Sequence, residues 1–560
     1  MRRLLARTVL SALAVLSALS VLSALTALPA MAQDTTTYTH ADTLKGSLTS
    51  PARTWWDVTF YDLHVKVNPA DSSISGRNGI TYSVVGAPHE MQIDLQAPLG
   101  VDSMVQDGRK LRFRQDGNAW FATVNGKQKT GESHTVTVYY HGRPTIAKRP
   151  PWDGGFTWGH DSLGKPWIVT TDQGIGASIW WPNKDIQADE PDSQRIAITM
   201  PDPLVDVSNG RLRSVEHHPD GSTTWEWFDT NPINNYAIVI NAGDYIHYSE
   251  IFRGENGPLT LDYWPLSYHL DAAKHTFAQT PAMLACFEHW FGPYPWYEDG
   301  YKLIEVSHNG MEHQSAVAYG NGFTNGYHYR NPSRSIYGMM FDFIIIHESA
   351  HEWWGNNITA KDNADMWVHE SFANYAENLY VECRFGKDAG ADYVIGTRGG
   401  IRNDKPVIPA RGVNAQGSGD MYPKGGNMLH TIRQIVGNDS TWRDILRGLN
   451  RTFWHQTVHG QQIRDYISQH AGVKLDKVFQ EYQETTMIPV LEYRISGSTL
   501  SYRWNDVVPG FDMQVGARTG ASGYTTLHPT ETWQTATLSL PAGTEFGVDP
   551  NYYVMVKRVE

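Results

Sequence analysis

The chain has 560 residues, a formal net charge of −13 at pH 7, 41% hydrophobic residues and 19% charged residues. This length exceeds what one hydrophobic core serves, and it predicts two to four domains of a folded, globular protein. The acidic balance argues against nucleic acid or an anionic membrane surface as the main partner.

The first 32 residues have the pattern of a secretory signal peptide. Three arginines come first, an apolar run covers residues 9–28, and an Ala-Met-Ala cleavage site ends at residue 32. We therefore expect an exported protein, periplasmic or secreted, whose mature chain begins near Gln33 and has no stable membrane insertion. An uncleaved membrane anchor is the alternative, because the apolar run is long for a signal core.

Residues 45–246 have the pattern of a large, mostly antiparallel β domain. Apolar and polar side chains alternate over residues 63–67 and 134–141, which predicts half-buried strands. Turn-forming pairs such as Asn125-Gly126 separate these stretches.

Helical patterns dominate residues 247–487. They predict helices at residues 272–291, 335–354 and 367–385. The second helix is apolar on nearly every face, which predicts that it is buried. A polar loop over residues 357–365 connects the second helix to the third.

Residues 488–560 return to short strand patterns and predict a small β-sandwich. The predicted fold class is therefore multidomain α+β. The chain has two cysteines, Cys286 and Cys383. They either pair with each other or remain buried free thiols, and the sequence leaves both alternatives open.

The motif with the most specific chemistry is His347-Glu348-Ser349-Ala350-His351, an H-E-x-x-H pattern in the second predicted helix. Residues four apart share a helix face, so both imidazoles can bind one zinc ion while Glu348 acts as general base. The alternative is a helix with two core histidines, but an unpaired Glu348 among apolar neighbours is costly.

A catalytic zinc ion needs a third protein ligand and keeps one coordination position open. Glu370 stands eighteen residues beyond His351, early in the third predicted helix, and one short loop can fold that helix back against the second. The sequence therefore predicts one zinc ion per chain, bound by His347, His351 and Glu370.

Residues 347–377 resemble the signatures of the aminopeptidase N family of zinc peptidases, which is of the gluzincin type. Family members read H-E-x-x-H-x-W-x-G-N and W-L-N-E-G-F-A-x-Y-x-E, and this chain reads H-E-S-A-H-E-W-W-G-N and W-V-H-E-S-F-A-N-Y-A-E. The resemblance implies three domains: an N-terminal β domain over residues 45–246, a thermolysin-like α/β catalytic domain over residues 247–487, and a small C-terminal β domain over residues 488–560.

The same resemblance implies zinc-dependent hydrolysis of the N-terminal peptide bond of peptides that have a free α-amine. Many relatives also carry a large C-terminal helical domain that closes over the site. This sequence ends before such a domain, so we expect a more open cleft.

A second family signature, G-x-M-E-N, has its counterpart in Asn309-Gly310-Met311-Glu312-His313. The resemblance implies that Glu312 binds the α-ammonium group of the substrate and that Gly310 and Met311 contact the substrate beside it. Such a carboxylate fixes where cleavage occurs. The first Gly and the last Asn of the signature are Asn309 and His313 here, a departure that concerns the pocket for the first residue.

Three further residues complete the predicted site. Gln173 resembles the family's glutamine that binds the substrate terminus from the β domain, and Tyr422, in Tyr-Pro-Lys-Gly, resembles its tyrosine that stabilises the oxyanion. Glu377 lies seven residues after Glu370 on the same helix face, where it can orient a ligand histidine. Asn356 is expected to cap the end of the second helix.

Three other functions are compatible with parts of this pattern. A thermolysin-type endopeptidase would share the zinc ligands but would not need a free amine. Hydrolysis of a lipid epoxide occurs in one branch of the family. A peptide-binding protein of the same fold would bind peptides without turnover, although the intact H-E-x-x-H motif, the distal glutamate and the tyrosine argue against it.

Overall fold

The structure, a computed structural model, describes residues 37–560. The predicted signal peptide and its cleavage site lie outside this range. A short helix, His40–Gly46, precedes the first strand.

An eight-stranded sheet is the largest element of the N-terminal region. Its strands, in spatial order, are Arg211–His217, Ser222–Asp229, Ser193–Pro201, Trp56–Asn68, Ser73–Val84, Ser133–Gly142, Gly100–Gln106 and Arg109–Lys110. Strand Trp56–Asn68 pairs in parallel with Ser193–Pro201, and the other ladders of this sheet are antiparallel. The predicted, mostly antiparallel β region is confirmed.

Two smaller sheets complete this region. One contains Val205–Val207, Asn241–Gly243, Pro166–Thr171 and Gly155–His160, and the other contains Met91–Asp94, Ala119–Thr123 and Arg112–Asp116. Alternate side chains of strand Trp56–Asn68, such as Leu63 and Val65, are at most 2% exposed. They pack with Trp180, Trp181 and Trp227 in one core, which explains why period-2 alternation identified this strand.

The helical region is built on a five-stranded sheet of order Tyr248–Gly254, Gly257–Trp264, Tyr301–Glu305, Val317–Tyr319, Gly310–Met311. A two-stranded ladder joins Ile358–Ala360 to Gln456–Val458. The helices of this region are Leu270–Phe277, Thr280–Phe291, Phe343–Ala350, Trp367–Phe385, Lys387–Thr397, Pro423–Val436, Asp439–Thr452, Gly460–Ala471 and Asp476–Glu484.

One predicted helix has the bounds that the sequence indicated, and two were wrong in extent. Trp367–Phe385 begins and ends as predicted, with Gly386 as its C-cap. The helix predicted at residues 272–291 is two helices, Leu270–Phe277 and Thr280–Phe291, because a proline near the start of the second favours a new helix start.

The helix predicted at residues 335–354 is also shorter than expected. A 3-10 turn, Ile336–Met339, comes first, and the α-helix begins only at Phe343. The Asp342 carboxylate accepts the N–H groups of Ile344 and Ile345 at 3.1 and 3.4 Å. This side-chain cap fixes the helix start.

The polar loop predicted at residues 357–365 is buried except at Lys361 and Asn363, which are half-buried. It contains strand Ile358–Ala360 and a 3-10 turn, Asn363–Asp365. Its polar side chains find partners inside the protein: Asn357, for example, donates to Asn450 Oδ1 at 3.0 Å.

The two cysteines form a disulfide bond between helices Thr280–Phe291 and Trp367–Phe385. Cys286 and Cys383 have Cα atoms 6.1 Å apart. Of the two alternatives that the sequence left open, the cysteines are paired and are not free thiols.

The C-terminal region has a four-stranded sheet of order Gln534–Thr537, Thr499–Asn505, Val490–Ser496, Met555–Arg558 and a two-stranded ladder, Val515–Ala517 with Thr525–Leu527. Its apolar side chains belong to the same core as the catalytic helices. Tyr553 N donates to Thr431 Oγ1 at 2.9 Å, which joins this region to helix Pro423–Val436. Over residues 37–560, no helix combines the length and the apolar character that crossing a membrane requires.

Candidate active site

Helix Phe343–Ala350 positions the H-E-x-x-H side chains. Its apolar residues Ile344, Ile345 and Ile346 are at most 1% exposed and hold it in the core. His347 lies in its last turn and His351 is its C-cap residue. Both imidazoles are buried, with 5% and 1% exposure, so they face the interior of the site.

Helix Trp367–Phe385 brings the third predicted ligand to the two histidines. Glu370 lies in its first turn. The Glu370 Oε2 atom is 3.6 Å from His347 Nε2 and 3.4 Å from His351 Nε2. Within the described residues, these three side chains form one of two groups whose ligand atoms are close enough to hold a metal ion, within 4.8 Å of one another.

The contacts around this group fit a zinc ion. Two ligand atoms about 2.1 Å from a tetrahedral zinc ion lie about 3.4 Å apart, as the observed distances do. His347 Nδ1 is engaged by Glu377 Oε1 at 2.7 Å, and His351 Nδ1 by the carbonyl of Trp354 at 2.8 Å. Both Nε2 atoms are therefore available to a metal ion.

The oxygen of Glu370 that faces the histidines supports the same assignment. Glu370 Oε2 is buried and has no hydrogen-bond donor within residues 37–560. A buried carboxylate oxygen without a donor is costly. A divalent cation among His347, His351 and Glu370 would satisfy it.

Two carboxylates of the site have pKa values shifted in opposite directions. Burial raises the pKa of Glu348 to about 7, against the lowering effect of His347. Burial also acts to raise the pKa of Glu370, but His351 and His347 lower it below its usual range. Glu370 thus stays ionised as a ligand, and Glu348 is suited to exchanging a proton near neutral pH.

Glu377 fixes the orientation of the His347 imidazole through the ring atom Nδ1. Besides His347 Nδ1, it accepts a hydrogen bond from Asn374 Nδ2 at 3.1 Å and another from the Tyr393 hydroxyl at 2.6 Å. Tyr393 was missed by the sequence reasoning, since no motif marks a tyrosine sixteen residues further along the chain.

Glu312 lies beside the catalytic group. Glu312, Glu348 and His351 form the second group whose ligand atoms are within 4.8 Å of one another. Gln173 Nε2 and the Tyr236 hydroxyl both donate to Glu312 Oε1, the latter at 3.2 Å. Tyr236 is another residue that the sequence reasoning missed.

Asn356 also supports Glu312, and its predicted role was wrong. Its side chain does not cap the helix but donates to the backbone carbonyl of Glu312 at 2.8 Å. It also donates to Glu352 Oε2 at 3.3 Å. The asparagine thus links the chain after His351 to the strand end that carries Glu312.

Gly310 and Met311 form the edge strand of the five-stranded sheet. A Cβ atom on Gly310 would lie 2.6 Å from Ile344 Cγ2 and 3.1 Å from Glu348 Oε1. Only glycine therefore allows this strand to approach helix Phe343–Ala350 so closely. Met311 is buried and lines the cavity above the site.

Tyr422 precedes helix Pro423–Val436 and covers the ligand His347. Their rings stack with centroids 5.8 Å apart and planes inclined by 28°. Burial and the Glu370 carboxylate raise the pKa of Tyr422 well above its usual value. The phenol therefore keeps its proton and remains a hydrogen-bond donor.

The predicted site residues line one cavity of about 610 Å³. All the site residues that the sequence indicated line it: Gln173, Gly310, Met311, Glu312, His347, Glu348, His351, Glu370, Glu377 and Tyr422.

His313, which departs from the family signature, does not line this cavity. Its side chain is fully buried, and its ring nitrogens have no hydrogen-bond partner among residues 37–560. Burial lowers the pKa of His313 to about 3.

Comparisons with known proteins show what the chain is similar to. The family model for the "Peptidase family M1 domain" matches residues 275–482. Aminopeptidase N of Lactococcus lactis subsp. lactis is 24% identical over 463 residues, which cover 79% of this chain and 52% of the relative. Leucyl aminopeptidase of Saccharolobus solfataricus is 20% identical over 301 residues, 51% of this chain and 37% of the relative.

Solved structures share the fold. The M1 zinc metallopeptidase from Deinococcus radiodurans superposes with a TM-score of 0.68 at 19% identity, covering 80% of this chain and 98% of the other. A two-domain M1 zinc metallopeptidase bound to L-tryptophan gives 0.67 at 20% identity, covering 78% and 96%.

The match to these curated relatives spans about half of their length or less. The region that matches the peptidase family M1 domain, residues 275–482, contains His347, His351 and Glu370, the three side chains that converge on one potential metal site.

Proposed function

We propose that this protein is a zinc-dependent aminopeptidase that hydrolyses the first peptide bond of peptides with a free α-amine. One observation carries the proposal: the Glu312 carboxylate lies within 4.8 Å of ligand atoms of Glu348 and His351. A carboxylate there binds an ammonium group about one residue from the scissile bond. It therefore favours cleavage after the first residue.

The residues support this chemistry as follows. Zinc held by His347, His351 and Glu370 would polarise the scissile carbonyl and lower the pKa of a water molecule. Glu348 accepts the proton of the attacking water and delivers it to the leaving nitrogen.

Two groups act on the substrate itself. Tyr422 donates a hydrogen bond to the oxygen that becomes negatively charged in the transition state. Glu312, held by Gln173 and Tyr236, binds the ammonium group and thereby fixes the position of the peptide.

The test is a panel of fluorogenic aminoacyl substrates, assayed with and without a chelator on the wild type and on Glu348→Gln. We expect the chelator to abolish hydrolysis and zinc to restore it. Removal of the general base should lower kcat by about 10³-fold, while the zinc content stays at one per chain. Full activity of Glu348→Gln would contradict the proposed role.

The endopeptidase alternative is distinguished by acetylating the peptide N-terminus. An aminopeptidase loses this substrate because the charge that pairs with Glu312 is gone, whereas an endopeptidase cleaves it unchanged. A peptide-binding protein without turnover would bind the free peptide but release no amino acid at any zinc concentration.

We also propose that the protein is exported. The pattern of the first 32 residues supports this. The Cys286–Cys383 disulfide supports it as well, because disulfides persist in oxidising compartments. Cell fractionation followed by N-terminal sequencing tests it: we expect a mature terminus near Gln33, and a cytoplasmic protein that still begins at Met1 would contradict it.

A further inference from the structure

Trp152 is a large aromatic side chain that lines the mouth of the cavity with Pro151. It is 68% exposed. Single exposed apolar residues are common, so the position of Trp152 on the cavity lining is what distinguishes it: its indole offers a large apolar face to whatever the cavity binds.

Two paired strands place Trp152 near the end of the cavity that binds the substrate amine. Strands Gly155–His160 and Pro166–Thr171 are antiparallel, with Gly155 opposite Thr171. Trp152 comes three residues before the first strand and Gln173 two residues after the second. Both residues therefore leave the sheet at the same end, and Gln173 contacts Glu312 there.

Close packing joins the two segments. Gly154 has a φ of +66°, and a Cβ atom on it would lie 2.3 Å from Ile175 Cγ2 and 3.3 Å from the carbonyl of Thr171. The loop that carries Trp152 is thus packed against the loop that carries Gln173.

Hydrogen bonds also hold the Trp152 loop in shape. The Asp153 carboxylate accepts the backbone N–H groups of Lys148 and Arg149, each at 2.9 Å. Trp152 N donates to the carbonyl of Arg149 at 2.9 Å. The indole is therefore presented on a preorganised turn, which lowers the entropy lost when a ligand binds.

Apolar side chains stand near the groups that would bind the amine. Met311 lines the cavity, and Met366 Sδ lies 3.9 Å from Gln173 Nε2. Of the cavity-lining residues within 37–560, none is Lys or Arg. The two cations of the adjoining turn, Lys148 and Arg149, are exposed and do not line the cavity. An acidic first side chain would therefore meet no cation on the cavity wall, whereas an apolar one would find thioether and aromatic surfaces.

We propose that Trp152 is a specificity-determining residue that covers the side chain of the first residue and selects large apolar and aromatic side chains at that position. The proposal rests on the aminopeptidase function proposed above. It assigns to the turn at residues 148–154 the outer wall of the pocket for the first residue.

The test compares Trp152→Ala, Trp152→Phe and a matched control, Leu163→Ala, with the wild type. Leu163 is 61% exposed and lies in the turn that joins the same two strands at their other end. Hydrolysis of phenylalanyl, leucyl and alanyl fluorogenic substrates gives kcat/KM for each. Calorimetric binding of L-phenylalaninamide and L-alaninamide, measured in a Glu348→Gln background so that the amides are not hydrolysed, gives a second readout that needs no turnover.

We expect Trp152→Ala to lower the phenylalanyl-to-alanyl ratio of kcat/KM about tenfold, mainly through KM. Trp152→Phe should retain most of the ratio, and Leu163→Ala should match the wild type. Phenylalaninamide affinity should fall in parallel in Trp152→Ala.

An unchanged ratio in Trp152→Ala, or an equal loss for all substrates, would overturn the proposal while leaving the aminopeptidase function intact. If the wild type released no amino acid at all, the proposed function would fail. The amide affinities would still decide whether Trp152 selects the apolar side chain.

Discussion

The two halves of the active site are assembled in different ways. The proposed metal-binding half consists of side chains from the end of helix Phe343–Ala350 and from helix Trp367–Phe385, which share one continuous core. A disulfide joins the second of these helices to helix Thr280–Phe291. The half that we propose binds the substrate amine, called the amine-binding half below, brings Gln173, Tyr236 and Glu312 together from positions up to 139 residues apart. Helix spacing determines the first half, and contacts between distant segments determine the second.

This difference separates metal affinity from substrate selection. Glu377 acts on the metal-binding half alone, and Tyr236 acts on the Glu312 carboxylate. Substitutions in the metal-binding half should therefore change zinc affinity more than amine recognition. Substitutions in the amine-binding half should change kcat/KM for free-amine substrates and leave zinc affinity largely intact.

Glu312→Gln should have the largest selective effect on the amine-binding half. The substitution keeps the shape but removes the charge that pairs with the substrate ammonium. A hydrogen bond between charged groups contributes about 1.5–3 kcal/mol, so we expect kcat/KM for free-amine substrates to fall about 100-fold. Steady-state kinetics measures this.

The zinc content of Glu312→Gln provides the control. It should remain at one ion per chain, because the predicted ligands are His347, His351 and Glu370. A variant with wild-type kcat/KM would show that Glu312 does not bind the amine, and a variant without zinc would show that the two halves are not separable.

Glu377→Gln should weaken the metal-binding half by a smaller factor. The amide is a poorer acceptor for His347 Nδ1–H than the carboxylate, so the imidazole becomes a weaker ligand. Loss of such a partner costs about 10- to 100-fold in metal affinity. Competition with a chromogenic chelator measures zinc affinity.

Tyr393→Phe is the matched comparison for this prediction, since it removes one hydrogen bond to Glu377 and leaves its charge. Its zinc affinity should fall between those of the wild type and Glu377→Gln. Equal zinc affinity in the wild type, Tyr393→Phe and Glu377→Gln would contradict the proposal that Glu377 strengthens His347 as a ligand.

The sequence predicts the metal-binding half better than the amine-binding half, because the first depends on spacing within and between neighbouring helices and the second on contacts between distant segments. Spacing four apart within a helix indicated His347 and His351, and the next helix supplied Glu370. Tyr236 lies 76 residues from Glu312, and no periodicity or motif relates the two positions. Glu312 and Gln173 were found only because they resemble family motifs.

Side-chain contacts also limited the fold prediction. The apolar pattern over residues 335–354 suggested one helix, but it carries no sign that the Asp342 carboxylate will cap a later start. The pairing of Cys286 with Cys383 likewise depends on how two helices pack, which their positions in the chain do not determine.

His313→Asn should change how the stability of the protein depends on pH. Burial lowers the pKa of His313 to about 3, whereas an unfolded histidine titrates near 6.5. As pH falls below 6.5 the unfolded state takes up a proton that the folded state does not, so stability is lost. From pH 7 to pH 5 the loss is about 2 kcal/mol, and asparagine avoids it.

Denaturant unfolding of the wild type and His313→Asn at pH 7 and pH 5 checks this. The free energy of unfolding of His313→Asn, minus that of the wild type, should be about 2 kcal/mol larger at pH 5 than at pH 7. His89→Asn, at an exposed histidine, is the control. A pH-independent difference between His313→Asn and the wild type would mean that His313 is not held neutral.

Tyr236→Phe should have the smallest effect and tests the amine-binding half most finely. It removes one hydroxyl that donates to Glu312 Oε1 while Gln173 continues to donate to the same oxygen. A hydrogen bond of this kind contributes about 1 kcal/mol, so KM should rise about fivefold with kcat nearly unchanged. Combining it with Glu312→Gln should add little, because the hydroxyl acts through that carboxylate. Additive losses in the double variant would instead mean that Tyr236 contacts the substrate directly.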